Sequence, residues 1–171
     1  LISEQVYDGR LQSATPTRNH IISIPPEILP KQAGVHFVGV EHEGNTQGSE
    51  EEVAAIVDLA HQLIGQPLWT GDTTEWSDIL FVAPYNYQVS KLRSALGDKA
   101  KIGSVDKFQG QEAPIVFLSM CASDARENAR GLNFLLEKNR INVAISRAQS
   151  LAVVVGNPNI GKTPVSNISQ L

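Results

Sequence analysis

Three short runs, Ile79–Ala83 (ILFVA), Ile115–Met120 (IVFLSM) and Leu151–Val155 (LAVVV), are apolar almost without interruption. A strand with one face in water alternates polar and apolar residues, so runs of this kind must be covered on both faces. That is the requirement of a parallel sheet sandwiched between helices. The intervening segments supply the helices. Val53, Ile56, Val57, Ala60, Leu63 and Ile64 recur at helical spacing within Ser49–Ile64, as do Val89, Leu92 and Leu96 within Tyr85–Leu96. Ser49 followed three residues later by Glu52 reads as a capping box for the first of these. Further strands are predicted at Val35–Val40 (VHFVGV) and around Ile102–Val105, and a further helix near Lys138–Ala148. Strand and helix alternate throughout, which predicts an open α/β fold, a mainly parallel sheet of about five strands flanked by helices. Sheets of this class bind ligands at the C-terminal ends of their strands.

Ahead of this pattern, Leu1–Leu11 reads as the end of a helix. The polar, proline-containing stretch Gln12–Gly34 reads as connection rather than core. The expected division is therefore 1–34, an incoming helix end and connecting segment, and 35–171, one α/β domain. The abrupt start is expected of a segment of a longer polypeptide. With 171 residues, 42% of them hydrophobic and 19% charged, the chain can bury a sizeable core and has an ordinary globular composition. No apolar run approaches the ~20 residues of a membrane span. The N-terminus lacks a secretory layout, and a cytoplasmic location with no membrane partner is expected. Cys121, the single cysteine, lies at the end of an apolar run and reads as a buried thiol, leaving no disulfide or metal site to argue from.

The net charge of −4 hides an asymmetry: residues 1–83 carry three basic and twelve acidic side chains, residues 84–171 eleven basic and six acidic. The second half is the one suited to phosphate. It also holds the two stretches richest in chemistry. Gly103–Glu112 (GSVDKFQGQE) is a turn-rich connection between strands, in which Gly110 permits close approach of the backbone and Glu112 offers a carboxylate at the sheet's edge. Asn139–Ala148 (NRINVAISRA), taken as a helix, places Arg140 and Arg147 on one face, roughly 10 Å apart along the axis. Ile141, Ala144, Ile145 and Ala148 would seat that helix on the sheet. Two guanidiniums on a fixed helix suit a phosphate chain, and pairing with surface carboxylates is the plainer alternative.

The same two stretches resemble motifs V and VI of the superfamily 1 helicases, in the branch that includes the nonsense-mediated-decay RNA helicase and its bacterial relatives. The matching residues are Val105, Asp106, Phe108, Gln109, Gly110 and Glu112, then Gly131–Leu135 (GLNFL). They continue with Arg140, Asn142, Val143, Ala144, Ser146, Arg147 and Ala148, and end with Val155–Pro158 (VGNP). Phe81–Gln88 (FVAPYNYQ) resembles motif IV, and order and spacing agree from the first strand onward. The resemblance implies a RecA-like second motor domain. It implies that Arg147 is an arginine finger reaching the γ-phosphate of ATP, that Arg140 supports its helix or the phosphate neighbourhood, and that Glu112 accepts from the ribose while Gly110 lets the backbone come close. Ser104, Tyr85 and Asn86 are implied as contacts to single-stranded DNA or RNA, Tyr85 having packing as its alternative; Phe108 reads as core. The branch further implies 5′-to-3′ movement.

In such motors ATP and Mg²⁺ lie between two RecA-like domains. The N-terminal one supplies the P-loop lysine, the magnesium-binding carboxylates and the water-orienting glutamine, none of which has a counterpart ahead of Val35. This chain is accordingly expected to be inactive without that domain of the same polypeptide. Two other readings compete. Gly156–Thr163 (GNPNIGKT) satisfies the phosphate-loop pattern of a small GTPase, although Pro164 follows at once and no magnesium-binding strand comes after it. A non-catalytic nucleic-acid or protein interaction module is the other; intact Glu112 and Arg147 weigh against it.

Overall fold

The computed structural model describes residues 19–108, 110–123 and 138–160, with the backbone alone for 138–140. Its strands are β1 (Gly34–Gly39), β2 (Ile79–Val82), β3 (Lys101–Gly103), β4 (Ala113–Ser119) and β5 (Ala148–Gly156). Its helices are α1 (Glu50–Leu63), α2 (Asn86–Leu96) and α3 (Lys138–Ile145). The five strands form one sheet in the order β1-β5-β4-β2-β3, and every pairing is parallel. This is the open parallel α/β sheet that the continuous apolar runs predict, and it is consistent with the RecA-like domain that the motif resemblance implies.

Residues of opposite parity along β2 and β4 enter two separate cores, as the period of a strand requires. Ile79, Phe81, Ile115 and Phe117 join Leu151, Val153 and Val155 under α1 and α2, which contribute Val53, Ile56, Ala60, Leu63, Val89, Leu92 and Leu96. Leu80, Val82, Val116 and Leu118 face the other way, against Ala144 of α3, Phe108 and Ile160. All four residues of β2 are buried. Phe108 is core, as its sequence context implies.

One expectation needs correction. The stretch ahead of β1 is irregular, yet Ile22, Ile24 and Leu29 are buried in the core under α1 and α2. The segment is stitched to the domain through its backbone: Ser23 N–H donates to the Pro67 carbonyl, and Ser150 Oγ donates to the His20 carbonyl at 2.7 Å. Burying three such side chains contributes about 1.5–3 kcal/mol each, so this connection is a structural part of the domain. Leu1–Leu11, read as a helix end, and Gly131–Leu135 lie outside the described residues.

Chain direction fixes where sites can form. From β2 the chain passes through α2 to β3 on one side of the sheet; from β4 it passes through α3 to β5 on the other. The crevice between the C-terminal ends of β2 and β4 is therefore the switch point, the usual ligand position of an open α/β sheet. Here it is filled by Tyr85, Cys121 and Ala122, all buried and packed together.

Candidate functional site

The residues read as nucleotide contacts gather at the other rim, where the strands begin. Gly110 and Glu112 immediately precede β4 and Arg147 immediately precedes β5. The Ala113 N–H donates to the Arg147 carbonyl at 3.0 Å, so the two approaches are neighbours across the first rung of the ladder. Glu112 is exposed. Gly110 has φ +78°, a conformation that favours glycine, and a Cβ built there meets no atom within 4 Å among the described residues. The expectation that ligands approach the C-terminal ends thus does not describe this set, which lies where β4 and β5 begin.

Arg147 is not on the helix. α3 ends at Ile145, where Ser146 Oγ donates to the Val143 carbonyl at 3.0 Å and the Arg147 N–H donates to the Ala144 carbonyl, tightening the last turn. Pairing with β4 then draws Ala148 into the sheet. Arg140 and Arg147 are consequently not two residues of one helical face; the backbone of Arg140 is in α3 and its side chain lies outside the described residues. Of the expected stripe, Ala144 is buried while Ile141 and Ala148 are half-buried against the same core. Arg147 itself is half-buried, with Nε shielded from solvent and without a hydrogen-bond partner among the described residues. A desolvated guanidinium N–H without an acceptor costs about 1–3 kcal/mol, and such an atom calls for an explanation.

Ser104, Tyr85 and Asn86 lie at the opposite rim, following β3 and β2. The two candidate sets are separated by the length of β4, about 20 Å at the rise of a strand. Residues 104–112, containing the short turn of helix Asp106–Phe108, run from one rim to the other. Tyr85 is only 5% exposed and packs on Cys121 and Ala122, so its ring is a packing ring rather than a stacking surface. The exposed aromatic at this end is Tyr87, 58% exposed, with Lys91 Nζ 4.7 Å from its ring centroid. Gly48 lets that ring lie close against the backbone, since a Cβ there would stand 2.7 Å from Tyr87 Cδ1. Sequence reading passed over Tyr87 because it sits among polar helix residues. Tyr85, the N-cap of α2, makes no side-chain capping bond to the first turn, and an uncapped helix start favours anions. Asn86 is exposed at this point.

A second group of residues was also missed. Ser49 does cap α1, its Oγ accepting from Glu52 N–H at 3.1 Å, but the reciprocal half of the expected capping box is absent. The Ser49 N–H donates instead to Gln88 Oε1 at 2.9 Å, and the Glu52 carboxylate turns inward, 0% exposed. There Glu52 Oε2 accepts from Ser119 Oγ at 2.6 Å and from Cys121 N–H at 2.9 Å, and Oε1 lies 2.9 Å from His42 Nε2. Burial pushes the Cys121 thiol well above the ordinary cysteine range, and the Glu52 charge adds to this. The thiol is thus a packing group, as its sequence position suggests.

After β5, Asn157 Oδ1 accepts from Asn159 N–H at 2.8 Å, and Ile160 is buried in the second core. The remaining phosphate-loop positions, Gly161, Lys162 and Thr163, lie outside the described residues. No helix among the described residues is long and apolar enough to cross a membrane.

Residues 1–159 match the family model of an AAA domain, AAA_12. The chain belongs to this family, the C-terminal RecA-like domains of superfamily 1 helicases. Among curated proteins, the putative helicase mov-10-B.2 of Danio rerio is 32% identical over 183 residues, covering 94% of this chain and 18% of that protein. DNA-binding protein SMUBP-2 of Rattus norvegicus is 32% identical over 169 residues, 90% of this chain and 16% of that protein. RNA helicase Mov10l1 of Homo sapiens is 42% identical over 109 residues, 60% of this chain and 8% of that protein. The chain spans less than a fifth of the length of these relatives. As a member of this helicase-domain family, it carries its candidate residues on the two rims of one RecA-like sheet.

Proposed function

We propose that this domain is the arginine-supplying half of an ATP-driven motor on single-stranded nucleic acid. The observation that supports it best is Arg147, held by the first rung between β4 and β5 beside Glu112, with a desolvated Nε that lacks an acceptor among the described residues. A γ-phosphate oxygen brought by a facing domain is an acceptor of the right charge, and the arginine would stabilise the charge that develops as the phosphoryl group transfers. Glu112 accepts from the ribose, Gly110 gives the nucleotide room, and Arg140 supports the phosphate neighbourhood. The N-terminal RecA-like domain of the same polypeptide holds the β-phosphate and Mg²⁺. Without that domain, ribose and γ-phosphate contacts leave the rest of the nucleotide unheld. The purified chain is therefore expected to hydrolyse ATP negligibly, with or without single-stranded DNA or RNA, in a steady-state assay. Robust turnover that disappears on Lys162→Ala would replace this reading with a phosphate-loop enzyme.

The nucleic-acid track in this reading is the C-terminal rim. Ser104, Asn86 and the uncapped start of α2 meet phosphates, with buried Tyr85 positioning that start, and Tyr87 meets a base. Relatives bearing the names of a DNA-binding protein and an RNA helicase leave both nucleic acids as substrates to be tried. Base–aromatic stacking is worth about 1–3 kcal/mol, so Tyr87→Ala should weaken binding of a single-stranded oligonucleotide roughly five-fold or more. The loss should persist across a salt series, because stacking releases no counterions, while overall affinity falls steeply with salt. Fluorescence anisotropy measures both; an unchanged affinity would remove Tyr87 from the track.

A further inference from the structure

The inward turn of Glu52 creates a polar assembly that spans the C-terminal rim. Around its carboxylate stand three donors from two separate segments: His42 after β1, and Ser119 and Cys121 at and just beyond the end of β4. Each donor is held in turn. Gln88 Nε2 donates to Ser119 Oγ at 2.9 Å and to the Ser49 carbonyl at 3.1 Å. His42 Nδ1 is 2.7 Å from Ser123 Oγ, which accepts from Asn45 N–H at 2.9 Å. The pattern closes, with every donor matched to an acceptor, when His42 carries its proton on Nε2 and Ser123 donates to Nδ1. Glu52 occupies the third position of α1, where unpaired backbone N–H groups favour a carboxylate.

Two routes lead from this carboxylate to the proposed nucleic-acid contacts. Cys121 is the sole non-glycine with positive φ (51°) among the described residues, and its N–H is bound by Glu52 in that conformation. Its sulfur lies against the Tyr85 backbone amide, and Cys121 and Ala122 pack on Tyr85. Along the second route, Ser119 passes the constraint to Gln88, in the first turn of α2, whose first residue is Asn86. The two meet at the start of α2.

We propose that Glu52 is a positioning residue for the nucleic-acid rim, fixing Tyr85 and Asn86 through Cys121 and through Ser119–Gln88. The proposal rests on the reading of that rim as the nucleic-acid track. A carboxylate suits the task because it accepts from all three donors at once; the isosteric amide presents its own donor to one of them.

The test is Glu52→Gln in the full-length protein, with ATP turnover measured against increasing concentrations of single-stranded oligo-dT and oligo-U. The concentration giving half-maximal stimulation should rise about ten-fold, the effect of one mismatched buried hydrogen bond. Basal turnover and turnover at saturating oligonucleotide should stay within about two-fold of wild type, because nothing at the Arg147 rim has changed. A purely structural role would lower both turnovers together with the melting temperature and leave the half-maximal concentration in place, which overturns the proposal, as does an unshifted titration with both oligonucleotides. Should Glu52→Gln fail to fold, Ser119→Ala removes a single donor and should shift the titration in the same direction; no shift overturns the proposal equally. A wild-type protein whose turnover ignores single-stranded nucleic acid removes the motor reading itself. A stimulated wild type with unshifted variants removes only the role of Glu52.

Discussion

Replacing Arg147 with alanine in the full-length protein is expected to lower ATP turnover by about 10³-fold or more, the range in which trans-acting arginine fingers operate. Nucleotide affinity should change far less, because the guanidinium acts chiefly on charge that develops in the transition state. The substitution is well suited to the question. The structural contacts of residue 147 at the rim are made by its backbone: its carbonyl accepts from Ala113 N–H and its N–H donates to the Ala144 carbonyl. Alanine keeps both, and removing a half-buried guanidinium whose Nε has no acceptor among the described residues gives up no hydrogen bond at that atom. Lys162→Ala is the counter-experiment. A phosphate-loop enzyme needs that lysine for the β- and γ-phosphates and has no use for Arg147; the motor reading expects Lys162→Ala to be nearly silent. Turnover and dissociation constants for both variants, with ATP and with GTP, separate the two. Loss of activity on Lys162→Ala with Arg147→Ala unaffected would end the arginine-finger reading.

What could be read from the sequence follows from how local the physics is. β2, β4 and β5 announce themselves because a strand buried on both faces has no room for a polar residue, and α1 and α2 because their apolar residues fall on one side. The core role of Ile22, Ile24 and Leu29 was hidden because each sits among prolines and polar residues. Their burial depends on contacts with Pro67 and Ser150, far along the chain. Glu52 was misread for a related reason: a serine three residues before a glutamate satisfies a local capping rule, whereas the donors that take the carboxylate come from β4 and from the segment after β1. At the rim where β4 and β5 begin, the motif spacing named Gly110, Glu112 and Arg147 without revealing which end of the sheet they share. That depends on strand register, with Ala113 opposite Ala148. Tyr85 and Tyr87 exchanged roles because they lie two residues apart where the extended chain enters α2, and two helical steps turn a side chain by about 200°, from the switch-point crevice to solvent.

Phe117→Ala should be among the most destabilising single changes in the domain. Phe117 is fully buried in β4, the strand flanked by β5 and β2, and lies directly opposite Phe81 in the register. The two rings are stacked with centroids 5.4 Å apart and planes 8° from parallel. Truncating a buried phenylalanine costs about 3–5 kcal/mol through lost transfer energy and the cavity left behind. Loss of the aromatic pair is worth about 0.5–1.5 kcal/mol of interaction beyond area burial. Little relaxation can fill the space, because β4 is pinned on both sides by parallel ladders and α1 and α2 already pack on that face. Against a typical domain stability of about 5–15 kcal/mol, the variant should unfold at much lower urea concentration, with an unchanged slope if the unfolded state is unaffected. Phe37 provides the comparison: it lies on the edge strand β1 and is 50% exposed. Phe37→Ala should cost only about 1 kcal/mol, in proportion to the area it buries. Equilibrium urea unfolding of the two variants beside wild type decides the matter. Equal midpoints for Phe117→Ala and Phe37→Ala would mean that the packing of α1 and α2 on the sheet is not what stabilises this domain.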